Sequence, residues 1–178
     1  MKDILTKLKL VDYFTTEVPI QQAEFVAKFQ NSVDEGDTGV FSGAFDMFSS
    51  SKNEYRGHVY ANGFKIKRKR KFFDANMSLA AAEGSFTQQD QNVVIATEVN
   101  GFSGLMIPFF GFILVFYAIF LVGFLVSAGR NDGQAFVALP LIFFHALFML
   151  GIPYFMMRRG VSKMKHELER EFYYMTKK

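Results

Sequence analysis

Two uncharged apolar runs constrain this sequence more than any other feature. From Leu105 to Ala128 no Asp, Glu, Lys or Arg interrupts a run rich in Leu, Ile, Val and Phe, and the uncharged run from Gly133 to Met157 is broken only by His145. A helix rises ~1.5 Å per residue and a hydrocarbon core is ~30 Å thick, so about 20 apolar residues cross it. Both runs meet that length. Between them Gly129 is placed to end one helix and Asn131 or Asp132 to cap the next, a link short enough to force an antiparallel hairpin. A chain of 178 residues is too small to enclose two such helices in a soluble core. The expectation is therefore a transmembrane hairpin over 102–157, with spans of about 105–128 and 135–157 and an outside loop at 129–134. A soluble α+β domain over 1–101 precedes it, and an amphipathic helix over 158–178 follows.

Charge sets the orientation. Arg158, Arg159, Lys163 and Lys165 follow the second span, whereas the loop carries one Arg and one Asp. The positive-inside rule then puts both termini in the cytoplasm. The opening MKDILTKLKLVDYF has no sustained apolar stretch and no small-residue cleavage site, so the first span serves as its own insertion signal. This form suits a bacterial inner membrane. Residues Ile4, Leu5, Leu8 and Val11 share a helical face, which reads either as an interfacial helix or as an ordinary first element of the soluble domain. The absence of cysteine excludes disulfides and thiolate metal sites.

Within the spans, Pro108 lies in a first helical turn, where proline is tolerated. Pro140 either opens the second helix or kinks it, and Pro153 removes a hydrogen bond to Met149. Phe112, Phe116, Phe120 and Phe124 recur every fourth residue and form a ridge that faces lipid or a partner subunit. His145 is the intramembrane polar candidate. Such residues serve as relays or ligands, or bond a neighbouring carbonyl or subunit.

In the soluble part, Leu10–Val18 reads as a strand and 19–33 as a helix that buries Ile20, Ala23, Val26 and Ala27. Asp34–Gly39 reads as a loop without the closing Glu of a calcium site. Strands follow over Val40–Phe48, Glu54–Ala61, Phe64–Lys71, Met77–Phe86 and Asn92–Val99, with a polar turn at Thr87–Gln91 and a hairpin turn at Asn62-Gly63. On the fourth of these segments' predecessor, Lys65, Lys67, Lys69 and Lys71 alternate onto one face. That cationic stripe reads as an anionic-lipid contact, together with Arg158 and Arg159, as a nucleic-acid contact, or as a guarded edge strand. In the last helix Val161, Met164, Leu168, Phe172 and Met175 form a stripe that packs on the sheet or faces a partner, with Leu168 and Phe172 as the partner-facing candidates.

The order strand, helix, curved antiparallel strands and long final helix is similar to START-like folds, with the membrane hairpin inserted before the last helix. That resemblance implies binding of lipids or other apolar ligands. No phosphate-binding glycine loop, HExxH, nucleophile elbow or Cys–His pair is present, and no cofactor is expected. The expected function is a non-catalytic accessory or scaffold subunit that binds other membrane subunits or itself. Its alternatives are a membrane-tethered sensor of an apolar ligand and, behind it, an oligomeric channel component.

Overall fold

The computed structural model describes residues 2–39, 51–69, 80–128 and 138–177. The expected strand over Val40–Phe48, the start of the one at Met77, Lys71 and the loop 129–134 lie outside them. The chain divides into two compact units, one comprising residues up to Ser103 together with those from Met156 onward, the other Gly104–Phe155.

The first unit is α+β. It contains α1 (Lys2–Lys7), β1 (Val11–Val18), α2 (Gln22–Ser32), β2 (Val33–Glu35), β3 (Tyr55–Tyr60), β4 (Gly63–Arg68), β5 (Ala81–Gln89) and β6 (Asn92–Asn100). The six strands form one sheet in the order β1-β6-β5-β4-β3-β2. Neighbours are antiparallel except β2 and β3, where Val33 pairs in parallel with Tyr55. The sheet is therefore mixed, and Asp34 and Glu35 belong to a short edge strand rather than to a loop. The hairpin between β3 and β4 turns at Ala61-Asn62, one residue before the expected Asn62-Gly63, because Tyr60 pairs directly with Gly63. Gly63 answers a different need: a Cβ there would sit 2.4 Å from the Gly84 carbonyl oxygen.

Helix α2 starts three residues after Pro19, because the Ile20 N–H first closes a turn on the Val18 carbonyl at 2.9 Å. Its first turn is capped from another element, the Gln22 N–H donating to Gln88 Oε1 at 2.6 Å. The face it buries is Phe25 and Phe29, both 0% exposed, and not Ala23 and Ala27. Two rings at i and i+4 remove far more apolar area from water than two methyl groups.

The second unit holds α3 (Met106–Ala128) and the first part of α4 (Ala138–Met175). Both helices are long and apolar enough to cross a membrane. Pro108 and Pro140 sit in first turns, where no intrahelical N–H bond is lost. Pro153 lies inside α4, which continues through it as one helix into the last apolar stripe. Val161, Met164, Leu168, Phe172 and Met175 then cover the inner face of the sheet, each at most 8% exposed.

Candidate functional site

The core of the sheet unit is a block of interlocked rings. Phe29 lies 5.2 Å from Phe64 and 5.5 Å from Phe172, ring centre to ring centre. Phe25 lies 5.4 Å from Phe86 and 5.6 Å from Phe172. Edge-to-face contacts of this kind add to the burial itself. The space between sheet and α4 is thus occupied by side chains. Leu168 and Phe172, the partner-facing candidates of the last helix, are 0% exposed and belong to this core. Their correction follows from area: a five-residue apolar stripe on a helix that rejoins its own sheet is covered there first.

The cationic run disperses on folding. Lys65 is exposed and faces Glu83 at 3.5 Å. Lys67 donates to the Gly39 carbonyl at 3.1 Å and is half-buried. Lys69 is buried and paired with Asp34, which also accepts from Ser51 at 2.7 Å and Asn53 at 2.8 Å. Burial raises the Asp34 pKa, but the hydrogen bonds from Lys69, Ser51 and Asn53 outweigh it and hold the carboxyl below its ordinary value. Arg68, on the inner face, bridges Glu167 through one nitrogen, Nη1, which donates to the two carboxylate oxygens at 2.8 and 2.9 Å. Beside it the Tyr55 hydroxyl is buried, and burial pushes its pKa up. The described lysines of the run therefore do not form one open stripe, because the β2 edge brings Asp34 to Lys69. Arg158 and Arg159 are exposed.

The outer face of the sheet carries a shallow concavity of 670 Å³ between β1, β6 and β5, lined in part by Lys2, Thr15, Glu83, Ser85 and Glu98. Glu83 and Glu98 are cross-strand partners. Lys2 bonds Glu98 at 2.9 Å, and Lys65 serves Glu83. The lining is mixed, with Tyr13, Phe14 and Ala96 beside the polar groups, and its charges are matched within the chain. Among the described residues no cluster of His, Asp and Glu is arranged to hold a metal ion.

In the apolar unit, Phe112 is 71%, Phe116 42% and Phe120 51% exposed, and Phe124 is half-buried. Phe116 stands 5.4 Å from Phe120 and 6.5 Å from Phe112, so the ridge exists as a row of touching rings. His145 is not isolated: its Nδ1 shares a hydrogen bond with the Tyr117 hydroxyl, linking α3 to α4. Tyr117 was invisible to a search for second imidazoles, thiols and carboxylates. The signal lay in position, since Tyr117 and His145 stand equally far on either side of Asn131 in the link between the helices. No protein-family model, curated protein or solved structure matches this chain.

Proposed function

We propose that this chain is a non-catalytic accessory or scaffold subunit of a membrane complex. Helices α3 and α4 cross the bilayer as a hairpin, with both termini and the sheet unit in the cytoplasm. The observation that carries this reading is the contrast in exposure between the two units. Large apolar side chains of α3 and of the first part of α4 stand open, whereas the sheet unit fills its own interior. Open Phe, Leu and Ile along helices of this length have two fitting solvents, lipid tails and the side chains of another membrane protein. The Phe112–Phe120 ridge and the Tyr117–His145 pair supply the contacts a neighbouring helix would use: ring area, and a polar group at membrane depth that keeps hydrogen-bonding capacity.

The similarity in element order to START-like folds remains part of this reading of the sheet unit, but it supports an anchor and binding platform rather than a carrier. Phe25, Phe29, Phe64, Phe86 and Phe172 occupy the space that an apolar ligand would need. The test is extraction of the tagged chain from its host membranes in mild detergent, followed by native mass spectrometry. The proposal expects retention in the membrane pellet after alkaline carbonate washing and a stoichiometric protein partner or a second copy. Release by carbonate sinks the membrane assignment, and a lone monomer sinks the subunit assignment.

A further inference from the structure

The opening helix α1 is too short to hold itself together and yet is fixed in place. An isolated helix of its length is unstable in water, and none of its residues is buried. Two devices hold it. Lys9, at φ 57°, occupies the left-handed position after the last turn. The Lys9 N–H then bonds Thr6 O at 2.9 Å and the Leu10 N–H bonds Leu5 O at 2.9 Å, the paired bonds of a Schellman cap. At the other end Lys2 bonds Glu98 at 2.9 Å. Held this way, Ile4 of α1 is 63% and Leu8, just after it, 42% exposed, with Lys7 and Lys9 exposed beside them. An ordinary first element of a soluble domain would turn those apolar residues inward.

The position of α1 within the sheet unit gives the reason. Its cap leads directly to the Leu10 carbonyl, which accepts from the Gly101 N–H at 2.8 Å. A Cβ on Gly101 would lie 2.6 Å from Val161 Cγ2 and 2.9 Å from the Met157 carbonyl oxygen. Three features therefore meet at one end of this unit: α1, the point where β6 leaves toward α3, and the point where α4 rejoins the sheet. Arg158 and Arg159, both exposed, lie at the same end. Among the described residues neither these arginines nor Lys7 and Lys9 have an ion-pair partner.

We infer that α1 is a membrane-surface foot: it lays Ile4 and Leu8 into the interfacial layer of an anionic bilayer, while Lys7, Lys9, Arg158 and Arg159 meet the headgroups. This rests on the reading of α3 and α4 as membrane spans. It moves the lipid contact away from the Lys65–Lys69 run, whose charges are partly spent inside the fold, to the end of the unit from which the chain enters the apolar helices. Interfacial helices of mixed apolar and basic character sit ~5–10 Å into the headgroup boundary, and each basic residue near an anionic surface adds to the attraction.

The chain contains no tryptophan, so single introduced indoles report single sites. The full chain carrying Ile4→Trp is reconstituted in phosphatidylglycerol–phosphatidylcholine vesicles, with lipids brominated at shallow or deep acyl positions. A second variant, Ile119→Trp, reports the middle of α3. The inference expects blue-shifted Ile4→Trp emission, quenched more by shallow than by deep bromine, and Ile119→Trp emission quenched by deep bromine. Adding Lys7→Gln or Lys9→Gln to Ile4→Trp should lower the docked-to-undocked ratio about fivefold for each lysine removed. An unshifted, unquenched Ile4→Trp beside a quenched Ile119→Trp overturns the foot and leaves the spans standing. If neither is quenched, the membrane reading fails and the foot falls with it.

Discussion

Phenylalanine is used in two opposite ways in this molecule. In the sheet unit Phe25, Phe29, Phe64, Phe86 and Phe172 are at most 5% exposed and touch one another from four different elements. In the apolar unit Phe112, Phe143, Phe148 and Phe155 are each more than half exposed. The same side chain, with the same preference for leaving water, closes one unit upon itself and leaves the other dependent on its surroundings. What differs is the neighbouring sequence. On α2 and the end of α4 the rings share a helix with charged residues, so one face alone is apolar and a sheet covers it. On α3 apolar residues run all the way round, and no single partner element can cover them.

This contrast is broken most directly by making one truncation in both units. Phe29→Ala should destabilise the sheet unit by about 3–5 kcal/mol, as expected for a lost core ring. Phe116→Ala should leave that unit's unfolding transition within about 0.5 kcal/mol, as an outward-facing substitution does. Denaturant unfolding of the full chain in detergent, followed by near-ultraviolet circular dichroism, measures both, and equal losses would refute the division. Gly57→Ala should cost about 3 kcal/mol, since Gly57 has φ 154° and a Cβ would sit 2.1 Å from the Lys65 carbonyl oxygen. A soluble, unshifted variant would mean that β3 and β4 are less closely apposed than described.

Arg68→Met tests whether the sheet unit is held by more than its rings. It leaves Glu167, 14% exposed, without its guanidinium partner and should cost about 2 kcal/mol in the same assay. Asp34 gives a smaller, pH-dependent effect. Its folded pKa is depressed below 3.8, so the stability it contributes is present above that pH and is lost as the pH falls through the folded value. Asp34→Asn should therefore flatten the acid limb of the stability curve, and an unchanged limb would remove Asp34 from the account. Tyr117→Phe, in the apolar unit, is expected to be the mildest, at about 0.6 kcal/mol for an intramembrane hydrogen bond. Its effect should appear in the unfolding of α3 and α4 in bilayer or detergent and not in the sheet signal.

The apolar helices were legible because their signal is length and lack of charge, both local properties of the sequence. The antiparallel pairing of β3 through β6 was legible from alternation and turn residues for the same reason. The edge strand β2 was not: three residues carry no periodicity, and pairing with Tyr55–Gly57 is decided by the tertiary fold. The surroundings of the lysine stripe were not legible either. Alternation correctly puts Lys65, Lys67 and Lys69 on one side of the strand, but whether they meet solvent depends on Asp34 and Gly39, remote in sequence. Leu168 and Phe172 are the converse case, where a correctly seen stripe has two destinations and only packing chooses between them. Tyr117 carries no such local signal, because a phenol among apolar residues is ordinary in a helix and only the return of α4 brings His145 to it.

The route of α4 has a consequence for the order in which the molecule can be completed. The sheet is built from residues before Ser103, but Val161, Met164, Leu168 and Phe172, which fill its inner face, come after the apolar helices. On a ribosome the strands and α2 emerge first and must wait, with the inner face of the sheet only partly covered, while the apolar segment is synthesised. The sheet unit can close only when the final turns of α4 appear. Its folded state therefore certifies that everything between has been made, and a chain stalled within the apolar segment would display an unfinished core to proteolytic surveillance.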